Sequence, residues 1–502
     1  MNKNKIIALC LTLLGCAVAS AETLTLDSCR AMALRNNKQL SISRAQQEVA
    51  RNVRKSVRTK YLPHVDLSGA YLLMSREISL LNDGQKTALS NIGTNAVGAI
   101  NGVAQAGAQK IFDAGVLTPE LLQKLQQMTP LLQQVKAAGQ QQLEAYGNAL
   151  GENIRDAFRT DTRNMFVGSV MLTQPIYMGG AIIAGNKMAE ISERIAAEKT
   201  DLSEQNVLYD IDQAYWLVVS LNHKQKLADS YLSLVSKLDE DVQKMIKEGV
   251  ATRADGLKVS VRVNEAEMSK TQAESGLSLA RMLLCQLCGL PLDSDVTLAD
   301  EGSENLGNGS VTRQYDIEEA IANRPETRLL SDAVEITKQQ TKIARAAYLP
   351  QIALTGGYLI SNPNVYNGYE RKFGGVWNVG VMLRMPVLDW GDAMYKVRAS
   401  KLSSNIAAMT LDETKEKLEL QISQSDMKLR VAEKKLVAAQ KHIQQADENL
   451  RCATVGFKEG VMSTTEVMAA QTAWFQAQSQ KIDAQIDVKL SEAGLRKALG
   501  QR

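Results

Sequence analysis

PVLDWGDAMYKVRASKL (386–402) opens a stretch that closes on ATVGFKEGVMSTTE (453–466), and the reading of this stretch decides the fold. After the end of an alternating strand come about sixty-five residues with no proline and one glycine near the start. A helix of that length is roughly 100 Å long, far beyond an ordinary globular helix. Ile422, Leu429, Leu436, Ile443 and Leu450 recur every seven residues, and Phe457 continues the line at the turn. Leu418, Ser425, Ala432, Ala439, Ala446 and Ala453 form a second row, four residues before each of the first. Large residues on one row and small ones on the other make a coiled-coil seam that lets helix axes approach closely. Such a seam requires partner helices.

Outward from this stretch the chain repeats itself. YLPHVDLSGAY (61–71) matches YLPQIALTGGY (348–358) at an offset of 287 residues, and AMALRNNKQL (31–40) aligns with EAIANRPETR (318–327) at the same offset. Further on the offset is 211: Pro175 pairs with Pro386, Gly180 with Gly391, and KEGVATRAD (247–255) with KEGVMSTTE (458–466). The 76-residue difference is an insertion in the first copy. The expected boundaries are 22–291 for the first repeat with an extracellular insertion over 76–163, 292–313 for a polar connection, and 314–502 for the second repeat.

Each copy carries two strands. Val65, Leu67, Gly69, Tyr71 and Leu73 alternate with His64, Asp66, Ser68 and Ala70, and Ile352, Leu354, Gly356, Tyr358 and Ile360 keep the same phase. Phe166, Gly168, Val170 and Leu172 match Trp377, Val379, Val381 and Leu383 as the second strands, which end at Pro175 and Pro386. One apolar face with aromatics near its ends suits an outer-membrane barrel, and a half-buried soluble sheet shows the same alternation. The long helices offer no second layer to cover that face. Four strands cannot close a barrel and an open edge is not tolerated in lipid, so three chains supplying twelve strands are expected. Helices are expected over 38–60, 180–247, 252–288, 325–347, 391–455 and 464–498, with two short ones end to end beside each long one.

The N-terminus reads as an export signal over 1–21: basic MNKNK, apolar IIALCLTLLGCAVA, and Ala19-Ser20-Ala21 as the cleavage site. LLGC, ending at Cys16, is the competing lipoprotein reading, with Cys16 lipidated. Composition narrows the class. Six Phe and four Trp in 502 residues argue against a large aromatic core, and a net charge of +3 with mixed signs gives no nucleic-acid footprint. No later run of eighteen apolar residues appears. Cys285-x-x-Cys288 lacks a second CxxC or a His pair, so these thiols read as buried helix residues, without metal or redox chemistry. His64, His223 and His442 have no ligand partners at metal spacing. Tyr215 and Trp216 read as packing residues. No catalytic constellation, phosphate loop or cofactor site is found, so an enzyme is not expected.

The duplicated order of helix, YLP-strand, strand before an aromatic-and-Gly turn, long helix and G-x5-D/E turn resembles the outer-membrane efflux protein (TolC) family over nearly the whole mature chain. The resemblance implies a mixed α+β membrane protein: a homotrimer with a twelve-stranded outer-membrane β-barrel and a periplasmic tunnel of twelve helices. It also implies docking onto a periplasmic adaptor and an inner-membrane pump of RND or ABC type. The function expected is a passive exit duct. The alternative is a trimeric coiled-coil surface stalk, which would have uninterrupted heptads and one terminal anchor in place of internal strand pairs.

Gly249 and Gly460 stand where long helices stop, and Thr252-x-x-Asp255 and Ser463-x-x-Glu466 read as capping boxes for the returning helices. By resemblance these turns are the periplasmic tips. Gly249, Val250, Ala251, Thr252, Gly460, Val461, Met462 and Ser463 are then candidates for adaptor contact, and Glu466 and Asp255 for an acidic constriction, where a carboxylate ring would favour cations. The family's second acid corresponds to Ala469 here, and its gate-locking arginine to Met462, so the closing contacts differ. The insertion, Gln/Ala-rich and broken at Pro119 and Pro130, reads as a surface elaboration. If it instead caps the pore mouth, deleting residues 100–145 raises single-channel conductance, and unchanged conductance excludes a cap.

Overall fold

The computed structural model describes residues 23–76, 79, 81–100, 139–158, 162–303, 315–367 and 370–501. The export signal with Cys16, most of the 100–145 segment and the end of the inter-repeat connection lie outside the described residues.

The chain divides into a helical unit (1–59, 180–347 and 388–502) and a sheet unit (60–179 and 348–387). The helical unit contains α1 (Leu26–Asn36), α2 (Lys38–Arg58), α6 (Ala181–Lys247), α7 (Arg253–Cys288), α8 (Ile317–Asn323), α9 (Pro325–Ala346), α10 (Asp392–Lys458) and α11 (Thr464–Ala498). The long helices α6 and α10 are 67 residues each, roughly 100 Å at the α-helical rise. As the repeat requires, α2 and α7 pack along α6, and α9 and α11 along α10. The repeat extends to single backbone positions. The break between α1 and α2 falls at Asn37 (φ −65°, ψ 125°), and that between α8 and α9 falls 287 residues later at Arg324 (φ −68°, ψ 134°). Their side chains act differently. Asn37 caps α2 by accepting from the Gln39 and Leu40 amides, whereas Arg324 pairs with Glu326 and donates to the Lys497 carbonyl of α11.

The heptad seam is the core of the second copy. Ile422, Leu429 and Leu436 with Ala432 and Ala439 pack against Ala484, Val488, Leu495 and Ala498 of α11. Farther along, Ile443 and Ala446 meet Ala477. The small row is what allows α11 to lie close to α10. In the first copy, Val207, Ile211, Ala214, Tyr215 and Val218 of α6 pack with Leu277, Ala280 and Leu284 of α7 and with Cys29 and Ala33 of α1. Part of the polar inter-repeat connection is anchored here too. Asp300 accepts from the Tyr215 hydroxyl at 2.6 Å, and Glu301 accepts from Asn222 and Arg281.

The sheet has order β1-β2-β3-β4, all antiparallel: β1 (His64–Leu73), β2 (Asn164–Met178), β3 (Gln351–Asn362) and β4 (Gly374–Arg384). Register carries the apolar face across all four strands. Leu67 pairs with Val170, Val170 with Tyr358 and Tyr358 with Trp377, and the next row is Val65, Leu172, Gly356 and Val379. The opposite face is mixed, with Asp66, Asn378 and the bonded pair Ser68 and Ser169 beside Met171, Leu359 and Val376. β2 runs beyond Pro175, where the alternation predicted its end, through a bulge between Pro175 and Tyr177. β1 begins at His64 opposite Thr173, so past that point β2 lacks this neighbour and a proline without an N–H is tolerated.

The insertion joins β1 to β2 and is helical where described: α3 (Asp83–Ser90), α4 (Ile92–Ile100) and α5 (Gln140–Ala157). Leu89, Ile92 and Ile154 give it a small core of its own. α4 and α5 cross backbone to backbone: a Cβ on Gly147 would lie 2.4 Å from the Gly93 Cα. The sequence gave no sign of this crossing.

Candidate functional site: the two helical-hairpin tips

KEGVATRAD and KEGVMSTTE build the same turn twice. Gly249 and Gly460 stand at φ +78° and +70°, left-handed values that end α6 and α10 without the clash a side chain would bring. The Val250 amide then reaches back to the Met245 carbonyl at 2.8 Å and the Val461 amide to that of Gly456 at 2.9 Å, each one helical turn earlier. These are Schellman closures, which satisfy carbonyls orphaned at the helix ends. Val250 and Val461 are left 72% and 80% exposed at the tips.

Both predicted capping boxes form. Thr252 Oγ1 accepts from the Asp255 amide and Ser463 Oγ from the Glu466 amide, while each carboxylate reaches back to the amide of its cap residue. Glu466 Oε2 is 2.7 Å from the Ser463 amide and 2.8 Å from its hydroxyl. The two carboxylates diverge at this point. Asp255 Oδ1 also takes a salt bridge from Lys258 at 3.3 Å, one turn along α7, and Asp255 is half-buried. Glu466 is exposed and has Ala469 at that distance along its helix. Asp255 is thus screened by its own helix, and Glu466 is the carboxylate that presents charge to solvent.

Hydrogen bonds from Ser463 hold the Glu466 carboxyl below the usual range, and those from Thr252 and Lys258 do the same for Asp255. A depressed folded-state pKa means the cap contributes fully above the unfolded value and fades as pH falls through the folded one. Ser463→Ala is expected to weaken the first turn of α11 by about 1 kcal/mol, seen as faster amide exchange at residues 464–467. The same exchange is expected on acidification of the native chain.

The tips are not free-standing hairpins. Tyr231, Val235, Leu238 and Val242 of α6, Val259 and Ala266 of α7, Ala453 and Phe457 of α10, and Val467, Met468 and Ala470 of α11 form one buried cluster. Tyr231 stacks on Phe475 at 4.5 Å between centroids, tying the two hairpins together. Met462 lies over Gly456, where a Cβ would come within 2.9 Å of its Cγ. In the first copy the equivalent space is found on the returning helix: a Cβ on Gly256 would meet Ile246 Cδ1 at 2.7 Å. The spacing pattern did not indicate these glycine seats, because each is defined by a neighbour across the turn.

Elsewhere, His64 is exposed, His442 bonds Gln480, and burial pushes the half-buried His223 down, favouring its neutral form. Tyr215 and Trp216 are buried, as packing residues should be. Among the described residues no cluster of His, Cys, Asp and Glu could hold a metal ion.

The fold is a tandem duplication of strand pairs and long helical hairpins. Residues 317–501, within the second repeat, match the family described as outer membrane efflux protein. It is 25% identical over 269 residues to the alkaline protease secretion protein AprF of Pseudomonas aeruginosa. That match covers 50% of this chain and 54% of AprF, so the chain spans about half the length of this curated relative. Among solved structures, the CusC channel superposes with a TM-score of 0.70 at 13% identity, covering 95% of this chain and 92% of that one. The outer membrane protein VceC of Vibrio cholerae gives 0.68 at 13% identity, covering 95% and 96%. At such identity these structures establish the shared fold.

Proposed function

We propose that this chain is the passive outer-membrane exit duct of a tripartite efflux or secretion system, assembled as a homotrimer. A single observation carries the reading: a four-stranded sheet whose apolar face is continuous through its register and whose outer strands, β1 and β4, each pair on one side only. Lipid does not tolerate unpaired backbone, and three such sheets joined β4 to β1 leave no edge.

The helices supply a second argument. α10 buries its seam against α11, yet another heptad stripe lies exposed: Leu402 and Met409 on one row, Ile406, Leu420 and Met427 on the next. Opposite numbers exist on the first copy. Ile42 and Val49 of α2, and Val261, Met268 and Met282 of α7, are also exposed at heptad spacing. The α10 stripe of one protomer would then pack on the α2–α7 face of the next, closing the tunnel where the sheet closes the barrel.

In this assembly three copies of Glu466 would surround one axis and bias the constriction toward cations. The exposed Val250 and Val461 at the tips, flanked by Ala251, Thr252, Met462 and Ser463, would meet a periplasmic adaptor, and an inner-membrane pump would supply energy and cargo. Secretion of a protein is the role AprF's name describes, so a protein cargo stands beside small solutes as the candidate load.

Planar-bilayer conductance of the purified chain, with its oligomeric mass, tests the reading. The native trimer is expected to show small cation-selective openings, and Glu466→Ala to raise conductance or lower selectivity. A trimer indifferent to Glu466→Ala keeps the duct and leaves Glu466 as a helix cap. A monomer without conductance rejects the duct.

A further inference from the structure

Three of the four cysteines beyond the export signal converge at one end of the helical unit. Cys29 lies on α1 and Cys285 and Cys288 on the last turn of α7, all within the core packed on α6. Cys29 and Cys288 are both 0% exposed. The Cys288 thiol donates to the Cys29 carbonyl oxygen at 3.8 Å, across 259 residues of sequence. Their helices are clamped around them. The Asn36 amide group donates to the Cys288 carbonyl and that of Asn37 to the Leu287 carbonyl, both at 3.4 Å. Gly289 ends α7 so close to α1 that a Cβ there would fall 2.6 Å from the Asn36 Cβ.

We propose that Cys29 and Cys288 form a disulfide in the exported protein, stapling the N-terminal helix α1 to the end of α7. The proposal rests on the periplasmic placement of these helices, because disulfides persist in an oxidising compartment. Cys285 is the excluded partner. It is three residues from Cys288 on one helix, where Cβ atoms stand about 5–6 Å apart, wider than the roughly 3.5–4.5 Å a disulfide needs. Its sulfur points elsewhere, 3.9 Å from the Ser294 carbonyl oxygen. Cys452 is exposed on α10 beside Glu448.

The oxidant is a disulfide of the periplasm, RSSR, acting before α1 has sealed the pair. One cysteine thiolate attacks it, giving a mixed disulfide and releasing RS⁻. The second then attacks the mixed disulfide at the cysteine sulfur and expels the other RS⁻. The Cys29–Cys288 bond forms, the R–S–S–R bond is lost, the two thiol protons pass to the leaving thiolates, and both electrons end on 2 RSH. Closing a loop of this length removes much freedom from the unfolded chain, so the bridge reinforces a helix otherwise held by noncovalent contacts, among them the Arg30–Asp212 ion pair.

The test is thiol trapping of cells that express the full chain. One portion is fractionated, and the other is acid-quenched, denatured and alkylated before and after reduction. The expected result is outer-membrane chain with two cysteines alkylated before reduction and four after it, and a peptide containing Cys29 joined to one containing Cys288. Cys285→Ser should keep that linked peptide, while Cys29→Ser should abolish it and free the Cys288 thiol. Outer-membrane chain with all four cysteines alkylated before reduction overturns the disulfide and leaves the duct standing. A Cys285-containing link as the native bridge overturns the pairing. Chain confined to the cytoplasm overturns the duct reading and this proposal with it.

Discussion

Val379→Arg is expected to reduce the amount of heat-resistant trimer in the outer membrane by tenfold or more, whereas Asn378→Arg, one residue away, leaves most of it. The two side chains point to opposite faces of β4. Val379 belongs to the row with Val65, Leu172 and Gly356, and is 69% exposed on the protomer's apolar face. Asn378 pairs with Gly357 on the opposite face, next to Met171 of β2. An arginine held at the middle of the hydrocarbon layer costs about 2–4 kcal/mol, and in a trimer that cost is repeated in every protomer. A lumen-facing arginine remains in water. The result therefore separates a lipid-facing sheet from a soluble one, in which Val379 would be covered by protein. Equal trimer yield from both variants would show that the apolar face does not meet lipid.

That face was legible in the sequence because two independent alternations ran in the same phase, and the register simply joined them. The long helices were legible for a similar reason: a seven-residue period sustained from Ile422 to Leu450 marks a coiled-coil seam and fits no strand. What escaped was fixed by the path of the chain. Cys29 and Cys288 are 259 residues apart, and nothing in CQLC points toward the N-terminus. The run of β2 beyond Pro175 depends on where β1 begins, which no local propensity encodes. The tip carboxylates were placed correctly as helix caps, yet their inequality came from Lys258 against Ala469, a difference that matters once both turns are known to share one backbone form. Capping, turn and periodicity signals are local and survive in sequence. Which carboxylate is screened and which thiols meet are tertiary facts.

The seam itself yields the second large effect, and a pair of neighbouring residues separates packing within a protomer from packing between protomers. Leu429 is buried against α11, in the cluster with Ala432, Leu436 and Val488. Leu429→Ala removes side-chain volume from a dry interface and is expected to cost about 2–5 kcal/mol per protomer, read as a lower midpoint of thermal unfolding. Met427, two residues earlier, is 55% exposed in the isolated protomer and lies on the other heptad stripe of α10. If that stripe were bathed in solvent, Met427→Ala would change stability by less than about 0.5 kcal/mol, as exposed substitutions usually do. In the proposed trimer it would pack on the α2–α7 face of a neighbour, so the same change should promote dissociation at low protein concentration while sparing the fold of the protomer. The two variants therefore fail differently. Leu429→Ala lowers the unfolding midpoint at every protein concentration, and Met427→Ala shifts the concentration at which trimers form. A silent Met427→Ala would leave the exposed α10 stripe without a partner and remove the helical half of the case for the trimer, with the open edges of β1 and β4 as its remaining support.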